Sequence, residues 1–188
     1  IVYDRSLVPP ILATVNHGVE GVFLYNSVLM RIEVKSNVTR EDIRRFISAS
    51  LEAGELEHSV QPGATAKFDH AYNLLFAYGA DAEGQGDADY HLKRVLEVMR
   101  EQGCDPNSGV VSMVCIPPFG FWKLGVSGGD RCWQRLINNT PEDCVSWFLG
   151  CVSNSCYQTH ARRQGRNPEA GLEGGIGMYL THPFEVVR

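Results

Sequence analysis

The chain has 188 residues, a length that suits one domain, and its formal net charge at pH 7 is −5. Apolar residues make up 44% of the chain and charged residues 21%, which is ordinary globular usage and excludes the disordered, collagen-like and coiled-coil classes. The acidic balance argues against a protein coated in basic residues for nonspecific nucleic-acid binding, but it leaves a local basic cleft open. Neither an apolar run of about 18 residues nor a signal-peptide pattern occurs in the sequence, so no membrane segment is predicted.

The start of the chain and its cysteines bear on the class and location of the protein. The chain opens inside an apolar run, Ile1-Val2-Tyr3, and we interpret residues 1–188 as a single domain whose upstream residues are missing. All six cysteines lie in the second half, with no CxxC pair and no zinc-like spacing to histidine. Free cysteine behaves as a small hydrophobic residue, and disulfides are typical of secreted chains. We therefore expect reduced structural thiols and a cytoplasmic location.

The first half of the chain predicts short strands, one helix and a central strand. Apolar runs indicate strands over Ile1–Tyr3, Ile11–Val15, Val19–Leu24 and Val28–Val34. Thr39 is a suitable N-cap with carboxylates in the turn that follows, and apolar residues recur at helical spacing, so a helix is predicted over Arg40–Glu57. The continuous apolar run Tyr72–Tyr78 has the length of a strand and is typical of a buried central one.

The second half predicts two more helices and a hairpin. A helix over Asp89–Gln102 carries an apolar stripe and ends at Gly103, a residue type suited to the left-handed backbone that follows many helices. A strand over Val110–Ile116 is followed by two prolines, and the aromatic segment Phe119–Trp122 is predicted to return as its hairpin partner. Proline is typical of a first helical turn, and the last helix is predicted over Pro141–Arg163. The order of elements predicts an α/β fold, a mixed central sheet flanked by helices.

The most informative segment is the predicted strand that runs into the sequence Ile-Glu-Val-Lys-Ser. Side chains alternate between the two faces of a strand. One face is expected to pack into the core and carries Met30, Ile32 and Val34. The other face carries Arg31, Glu33 and Lys35, which places a carboxylate and an ammonium two residues apart near the end of the strand.

A glutamate and a lysine in this arrangement suit phosphodiester chemistry. A carboxylate binds a hard divalent ion such as Mg²⁺ or Mn²⁺, which takes oxygen ligands and needs only one or two protein carboxylates beside substrate phosphate. An ammonium can hold the attacking water or offset charge that builds on a phosphorus oxygen. A second carboxylate from a neighbouring strand would complete the metal site, and Asp4 at the end of the opening strand is the candidate for it. The alternative is a solvated pair of surface charges, which contributes little.

These residues resemble the core of the PD-(D/E)xK nucleases. The resemblance is carried by Glu33-Val34-Lys35 after a strand, an acid near the preceding strand and a helix directly after. More narrowly, Ile1-Val2-Tyr3-Asp4, the stretch from Ser27 to Ser36 and the threonine-capped helix that follows resemble the uncharacterised bacterial DUF6602 domains, which are assigned to that superfamily. The order of elements extends the resemblance over most of the chain, but its specific part is only about ten residues long.

The resemblance implies a restriction-endonuclease-like core and a metal-dependent nuclease acting on DNA, with RNA as an alternative, in restriction or phage defence in a bacterial cytoplasm. It implies that Asp4, Glu33 and Lys35 are catalytic, and that Asp4, Glu33 and the carbonyl of Val34 bind the metal. In this family the metal-binding aspartate is expected near the start of the strand that ends in Tyr-Asp, which falls upstream of Ile1. Asp4 therefore competes with an upstream aspartate for this role, and Glu20 is a further candidate.

Substrate binding is assigned to three arginines, each with a plainer interpretation. Arg31 shares the face of Glu33 and is a candidate phosphate contact or an ordinary surface residue. Arg44 and Arg45 lie on the following helix and either line a groove for a nucleic-acid backbone or form its solvated face. Partners other than nucleic acid, a homodimer or a second protein, stay open. The rival function is a catalytically silent nuclease fold that only binds nucleic acid or a protein.

Other conspicuous groups are interpreted as structural. The basic cluster from His160 to Arg163, with Arg166, caps a helix end in preference to holding nucleic acid. Ser127-Gly128-Gly129 is too poor a match for a phosphate loop, because no Gly-Lys-Ser or Gly-Lys-Thr follows. The tryptophans are expected to pack in the core or at an edge in preference to stacking on bases, and they are Trp122, Trp133 and Trp147.

Overall fold

A computed structural model of the chain describes residues 1–3, 11–15, 18–22, 28–55, 71–81, 87–137, 140–163 and 184–187. Within these residues the main sheet has seven strands: β1 (Val2–Tyr3), β4 (Val28–Val38), β5 (Tyr72–Ala80), β6 (Met113–Ile116), β7 (Gly120–Ser127), β8 (Asp130–Leu136) and β9 (Phe184–Val186). A separate two-stranded antiparallel sheet consists of β2 (Ile11–Val15) and β3 (Gly18–Val22). The helices are α1 (Arg40–Gly54), α2 (Tyr90–Glu101) and α3 (Pro141–Arg163).

The main sheet is mixed, with strand order β1-β4-β5-β6-β7-β8-β9. Its centre is parallel: β4, β5 and β6 run in the same direction and are connected through α1 and α2. From β6 onward the neighbouring strands are antiparallel, and β1 also pairs antiparallel with β4. This confirms the predicted α/β class and the mixed central sheet. Parallel strands need a crossover connection, which the two helices supply.

Two apolar clusters cover the two faces of the sheet. One cluster joins α1 and α2 to the sheet through fully buried side chains that include Ile47, Leu75 and Leu92. The other joins α3 to the opposite face through Met30, Leu74, Trp147 and neighbouring residues. Leu74 and Leu75 are consecutive in β5 and lie in different clusters, because side chains alternate between the faces of a strand. Although α3 is 23 residues long, none of the described helices is apolar enough over a sufficient length to cross a bilayer.

The helix ends follow from local sequence. Thr39 and Asp42 form a capping box at the start of α1, which satisfies backbone N–H groups that have no partner within the helix. This helix ends at Gly54, not at Glu57 as predicted from its apolar spacing. At the end of α2, Gly103 has φ +72°, and the Cys104 N–H donates to the Met99 carbonyl, the pattern of a Schellman motif. The prediction that Gly103 takes the left-handed backbone conformation directly after this helix is therefore confirmed.

The strands differ from the prediction at their ends and in number. The strand β4 continues to Val38, which pairs with Ala80, because the polar stretch after Val34 still has a partner in β5. The strand before the prolines is shorter than predicted and begins at Met113. The aromatic segment does return as the partner of β6, as predicted. The strands β8 and β9 were not predicted, and Gly128-Gly129, both with positive φ, form the turn that leads into β8.

All three tryptophans pack inside the protein, as predicted. The Trp122 side chain is fully buried and its indole Nε1–H donates to Asp89 Oδ1 over 2.8 Å. Trp133 and Trp147 are also buried. Gly120 permits the Trp122 position, since its φ is +152° and a Cβ there would lie 2.9 Å from the Trp122 ring. Stacking of nucleic-acid bases on these rings would require the core to open.

The cysteines are free thiols, and the most buried of them are poor nucleophiles. Burial raises the pKa of the Cys144 thiol to about 11 and also raises the pKa of Cys115. Both side chains are fully buried. Because the thiolate is the reactive form, neither thiol is suited to covalent catalysis.

His91 is a buried histidine whose protonation is expected to weaken the fold. Its side chain is 3% exposed, its ring packs 4.2 Å from the Phe119 ring, and within the described part of the chain neither ring nitrogen has a hydrogen-bond partner. Burial lowers the pKa of His91, the nearby Arg94 guanidinium lowers it further, and the Asp81 carboxylate opposes this in part. The folded protein thus favours the neutral ring, and the unfolded chain binds the extra proton more readily.

The free energy of unfolding should therefore fall as the pH drops below about 6.5, the ordinary pKa of histidine, by at most about 1.4 kcal/mol per pH unit from this residue. Urea denaturation of the wild type and of His91→Leu at a series of pH values measures this contribution. The variant should show a shallower dependence on pH in the acidic range. Parallel curves for the two proteins would contradict the assignment.

Candidate functional site

Strand β4 presents Glu33 and Lys35 on the same face, the one covered by α1. Their partners in the parallel register with β5 are Leu75 and Ala77, both buried in the cluster beneath α1 and α2. Lys35 also contacts Asp42 in the first turn of α1. The predicted alternation is therefore correct for the polar face. The helix α1 covers the hydrophobic part of this face. The two charged side chains lie at the edge of the covered area, which we call the rim.

The opposite face departs from the prediction at one residue. Met30 is fully buried under α3 and Ile32 packs partly against the same cluster, as expected for core positions. Val34 is instead 56% exposed, so the expectation that it packs into the core is wrong. The apolar cluster under α3 contains Met30 and Ile32 but stops short of Val34, so the later part of β4 has no cover on this face within the described residues.

Lys35 lies between two carboxylates. Its Nζ is 3.0 Å from Glu33 Oε1 and 3.3 Å from Asp42 Oδ1. The Lys35, Glu33 and Asp42 side chains are 31%, 42% and 21% exposed, so the group is neither splayed apart nor sealed from solvent. The pKa of Lys35 is raised, first by its hydrogen bond to Glu33 and next by its hydrogen bond to Asp42. The ammonium is therefore charged and accessible at neutral pH.

Asp42 is the member of this group that the sequence did not assign to the site. Its Oδ2 accepts hydrogen bonds from the Thr39 N–H at 3.1 Å and from the Thr39 hydroxyl at 2.7 Å. These bonds lower the pKa of Asp42, and Lys35 adds to the effect. From the sequence, Asp42 is expected only as a favourable acid in the first turn of the helix. The spacing Thr-x-x-Asp directly after a strand is the available signal, since a capping box fixes where the acid points.

The carboxylate of Glu33 lies beside a partly open strand edge. On one side β4 pairs with β5 along most of its length, and on the other β1 pairs only with Val28 and Met30. The described part of the chain contains no strand along this second edge beyond Met30. In the antiparallel register Tyr3 lies opposite Val28, so the direction from Tyr3 back through Val2 is the direction toward Glu33.

This register bears on the second metal ligand. Asp4 follows Tyr3 and lies outside the described residues, so its assignment stays a prediction. The direction of β1 toward Glu33 is also the direction of the aspartate that the resemblance places upstream of Ile1, and that assignment stays a prediction as well. Glu20 lies in β3, and its side chain is outside the described part of the structure.

The residues at hand match part of a divalent-cation site. Glu33 supplies an accessible carboxylate, Asp42 supplies a second within reach of the same ammonium, and oxygen is the ligand type that Mg²⁺ prefers. Over the described ranges, no three His, Cys, Asp or Glu side chains cluster closely enough to hold a metal ion. Glu33 therefore fits as one ligand of a cation.

The Arg31 guanidinium forms hydrogen bonds within the protein. Its Nη1 donates to the Ala49 carbonyl of α1 at 2.8 Å and to Asn73 Oδ1 of β5 at 3.2 Å. These bonds tie the strand to its crossover helix and to its neighbour. The contacts favour a structural role for Arg31, and its assignment to substrate binding stays a prediction.

Arg44 and Arg45 lie on the exposed surface of α1 and are ion-paired. Arg44 contacts Glu41 at 2.7 Å and Glu101 of α2 at 3.6 Å, and Arg45 contacts Glu41 at 3.0 Å. These pairs favour the interpretation of a solvated helix face. Of the basic residues in the predicted cluster, only His160 has a described side chain, and it lies within α3. The side chains from Arg162 to Arg166 lie outside the described residues.

No protein-family model, no curated protein and no solved structure matches the chain, so no known protein supplies a role for this site. The contacts of Glu33, Lys35 and Asp42, together with the resemblance carried by the Ile-Glu-Val-Lys-Ser strand, are the evidence that bears on function.

Proposed function

We propose that this protein is a metal-dependent nuclease that hydrolyses phosphodiester bonds, with Mg²⁺ or Mn²⁺ as its cofactor and DNA, or alternatively RNA, as its substrate. The observation that carries the proposal is the contact of the Lys35 ammonium with Glu33 at an accessible rim of β4. The resemblance to PD-(D/E)xK nucleases supports the same function and extends it to restriction or phage defence in a bacterial cytoplasm.

The roles follow from the chemistry of the side chains. Glu33, with the carbonyl of Val34 beside it, would hold the cation, which supplies Lewis-acid stabilisation and an activated water when bound. Lys35 offers three N–H donors on a flexible stem. One donor can orient the attacking water toward phosphorus while another stabilises the negative charge that builds on a phosphoryl oxygen. Asp4, or the aspartate expected upstream of Ile1, would be the further ligand.

In this proposal the arginines of α1 would contact the backbone of the nucleic-acid substrate. The Arg44 side chain is 45% exposed and the Arg45 side chain 75%, and both pair with the same Glu41. Exposed ion pairs contribute little free energy, so these guanidinium groups can exchange Glu41 for phosphate. A polyanionic backbone would then pass along α1, whose first turn holds Asp42 beside Lys35.

The test is nicking of supercoiled plasmid by the full chain in the presence of Mg²⁺ or Mn²⁺. The wild type should convert supercoiled to open-circular DNA, and Glu33→Gln should reduce the rate at least about 100-fold, as expected for loss of a group that stabilises transition-state charge. Glu97→Gln is the matched control, since Glu97 is an exposed acid of α2 that is paired with Arg40. Equal rates for the wild type and Glu33→Gln would overturn the proposal.

The second candidate function is a silent nuclease fold that binds nucleic acid or a protein without cutting. It is favoured by one observation, that no three-ligand metal cluster occurs within the described residues. A silent module should bind DNA in a gel-shift assay with the same affinity in the wild type and in Glu33→Gln, and should not nick it. Binding accompanied by metal-dependent nicking decides for the enzyme.

A further inference from the structure

Asp42 divides its carboxylate between two tasks. Oδ2 accepts the hydrogen bonds of Thr39 that cap α1, and Oδ1 lies 3.3 Å from the Lys35 ammonium. The same side chain thus joins the start of the helix to the end of the strand that precedes it. Because both Thr39 donors fix Oδ2, the direction of Oδ1 is fixed as well.

Glu33 and Asp42 differ in how firmly they can hold the ammonium. Glu33 is the nearer partner, at 3.0 Å, but it is 42% exposed and is the proposed cation ligand. Asp42 is 21% exposed and is already anchored by the capping box. Any ligand that claims the Glu33 carboxylate removes the nearer partner of Lys35. Asp42 is then the acid in the described structure that keeps the ammonium in place.

We infer that Asp42 is a positioning residue that orients Lys35 for the reaction, in addition to capping α1. The inference rests on the proposed function, because it assigns Asp42 to the lysine of that same site. Asp42 itself does not need to touch the substrate. Its effect should appear in the mobility of Lys35 and in the turnover rate, and not in the affinity for metal.

Three variants separate positioning from helix capping. Asp42→Asn keeps an oxygen that can accept the Thr39 N–H but loses the negative charge that attracts Lys35. Asp42→Glu keeps a carboxylate, and glutamate is a standard residue at this position of a capping box. Asp143→Asn is the matched control, because Asp143 caps α3 with the same set of bonds to Thr140, at 2.9, 3.1 and 3.2 Å.

The direct measurement is NMR relaxation of the Lys35 side-chain ammonium in the full chain at fixed pH, without substrate. For this measurement all variants are made in a Glu33→Gln background, which removes the nearer carboxylate from Lys35. In this background Asp42→Asn should lower the Lys35 order parameter, whereas Asp42→Glu and Asp143→Asn should leave it near the value of the Glu33→Gln protein. Thermal unfolding of the same proteins reports the loss of capping separately. An equally ordered Lys35 in Glu33→Gln with and without Asp42→Asn would overturn the inference.

Plasmid nicking supplies a second readout that separates this inference from the proposed function. Asp42→Asn should lower the turnover rate at least about tenfold, the effect of losing one charge-assisted hydrogen bond, with an unchanged metal concentration at half-maximal rate. Asp42→Glu should restore most of the rate. A shift in the metal midpoint with an unchanged maximal rate would contradict positioning. If no protein cleaves, the proposed function fails, and the mobility of Lys35 still decides the role of Asp42.

Discussion

Lys35→Ala should abolish nicking while leaving metal binding nearly intact. Removing the ammonium takes away the donor that the site offers to the attacking water and to the phosphoryl oxygens, and loss of one such donor typically slows an enzyme about 100-fold to 1,000-fold. Lys35 is a partly exposed rim residue, so the fold should survive the substitution. The measurement is the single-turnover rate at saturating Mg²⁺, with circular dichroism as the check on folding.

Lys93→Ala provides the matched control for the loss of a lysine. Lys93 lies on α2 and forms a comparable exposed ion pair with Asp87, at 2.7 Å. The Lys93→Ala variant should cut at the wild-type rate. Wild-type turnover in Lys35→Ala would remove the proposed role of this lysine and leave the cation as the only source of charge stabilisation.

Trp122→Ala should be among the most destabilising single substitutions in the protein. The ring is fully buried in the cluster beneath α1 and α2, and its indole N–H bonds to Asp89, the N-cap residue of α2. Truncation of such a side chain leaves a cavity and typically costs about 3–5 kcal/mol of the free energy of unfolding. Urea denaturation followed by circular dichroism measures the loss.

Trp122→Phe keeps the measurement informative if the alanine variant does not fold. It retains most of the ring packing and removes the hydrogen bond to the Asp89 carboxylate, so it should cost about 1.5–3 kcal/mol, the range for loss of a hydrogen bond to a charged group. A loss below 1 kcal/mol in Trp122→Ala, relative to the wild type, is the result that this packing forbids.

Much of the parallel centre of the sheet could be predicted from sequence because its signals are local. The alternation around Glu33, the continuous apolar run of β5 and the threonine cap of α1 each depend on a few neighbouring residues. The structure confirms the strand β5 and the threonine cap, and it confirms the alternation for the polar face of β4 but not for Val34, which is exposed. The predicted end of α1 was wrong by a few residues, as is common for helix ends, which fray and lack a strong signal here.

The antiparallel strands after β7 could not be predicted with the same reasoning. The sequence of β8, Asp-Arg-Cys-Trp-Gln-Arg-Leu, lacks a regular alternation of apolar and polar residues, and it is specified by its pairing with β7 and β9. The strand β9 is only three residues long. Both depend on tertiary pairing that no local pattern announces.

The candidate site shows the same division between local and tertiary information. The relation of Glu33 to Lys35 is local and was predicted. Asp42 joins the site only because α1 folds back over β4, and the bonds from Arg31 Nη1 to Ala49 and Asn73 also depend on tertiary packing. Val34 became exposed because the cluster under α3 does not extend to it. Which residues cover a strand is decided by packing that lies far away in sequence.

Titration with Mn²⁺ measures whether Glu33 holds a divalent cation beside Lys35, as we propose. Substoichiometric Mn²⁺ broadens the NMR signals of amides near the ion, so the wild type should lose signals around Glu33, Lys35 and Asp42 first. Glu33→Gln should retain those signals at the same Mn²⁺ concentration, whereas Glu97→Gln should behave like the wild type. Identical broadening in the wild type and Glu33→Gln would contradict the proposal that Glu33 binds the cation.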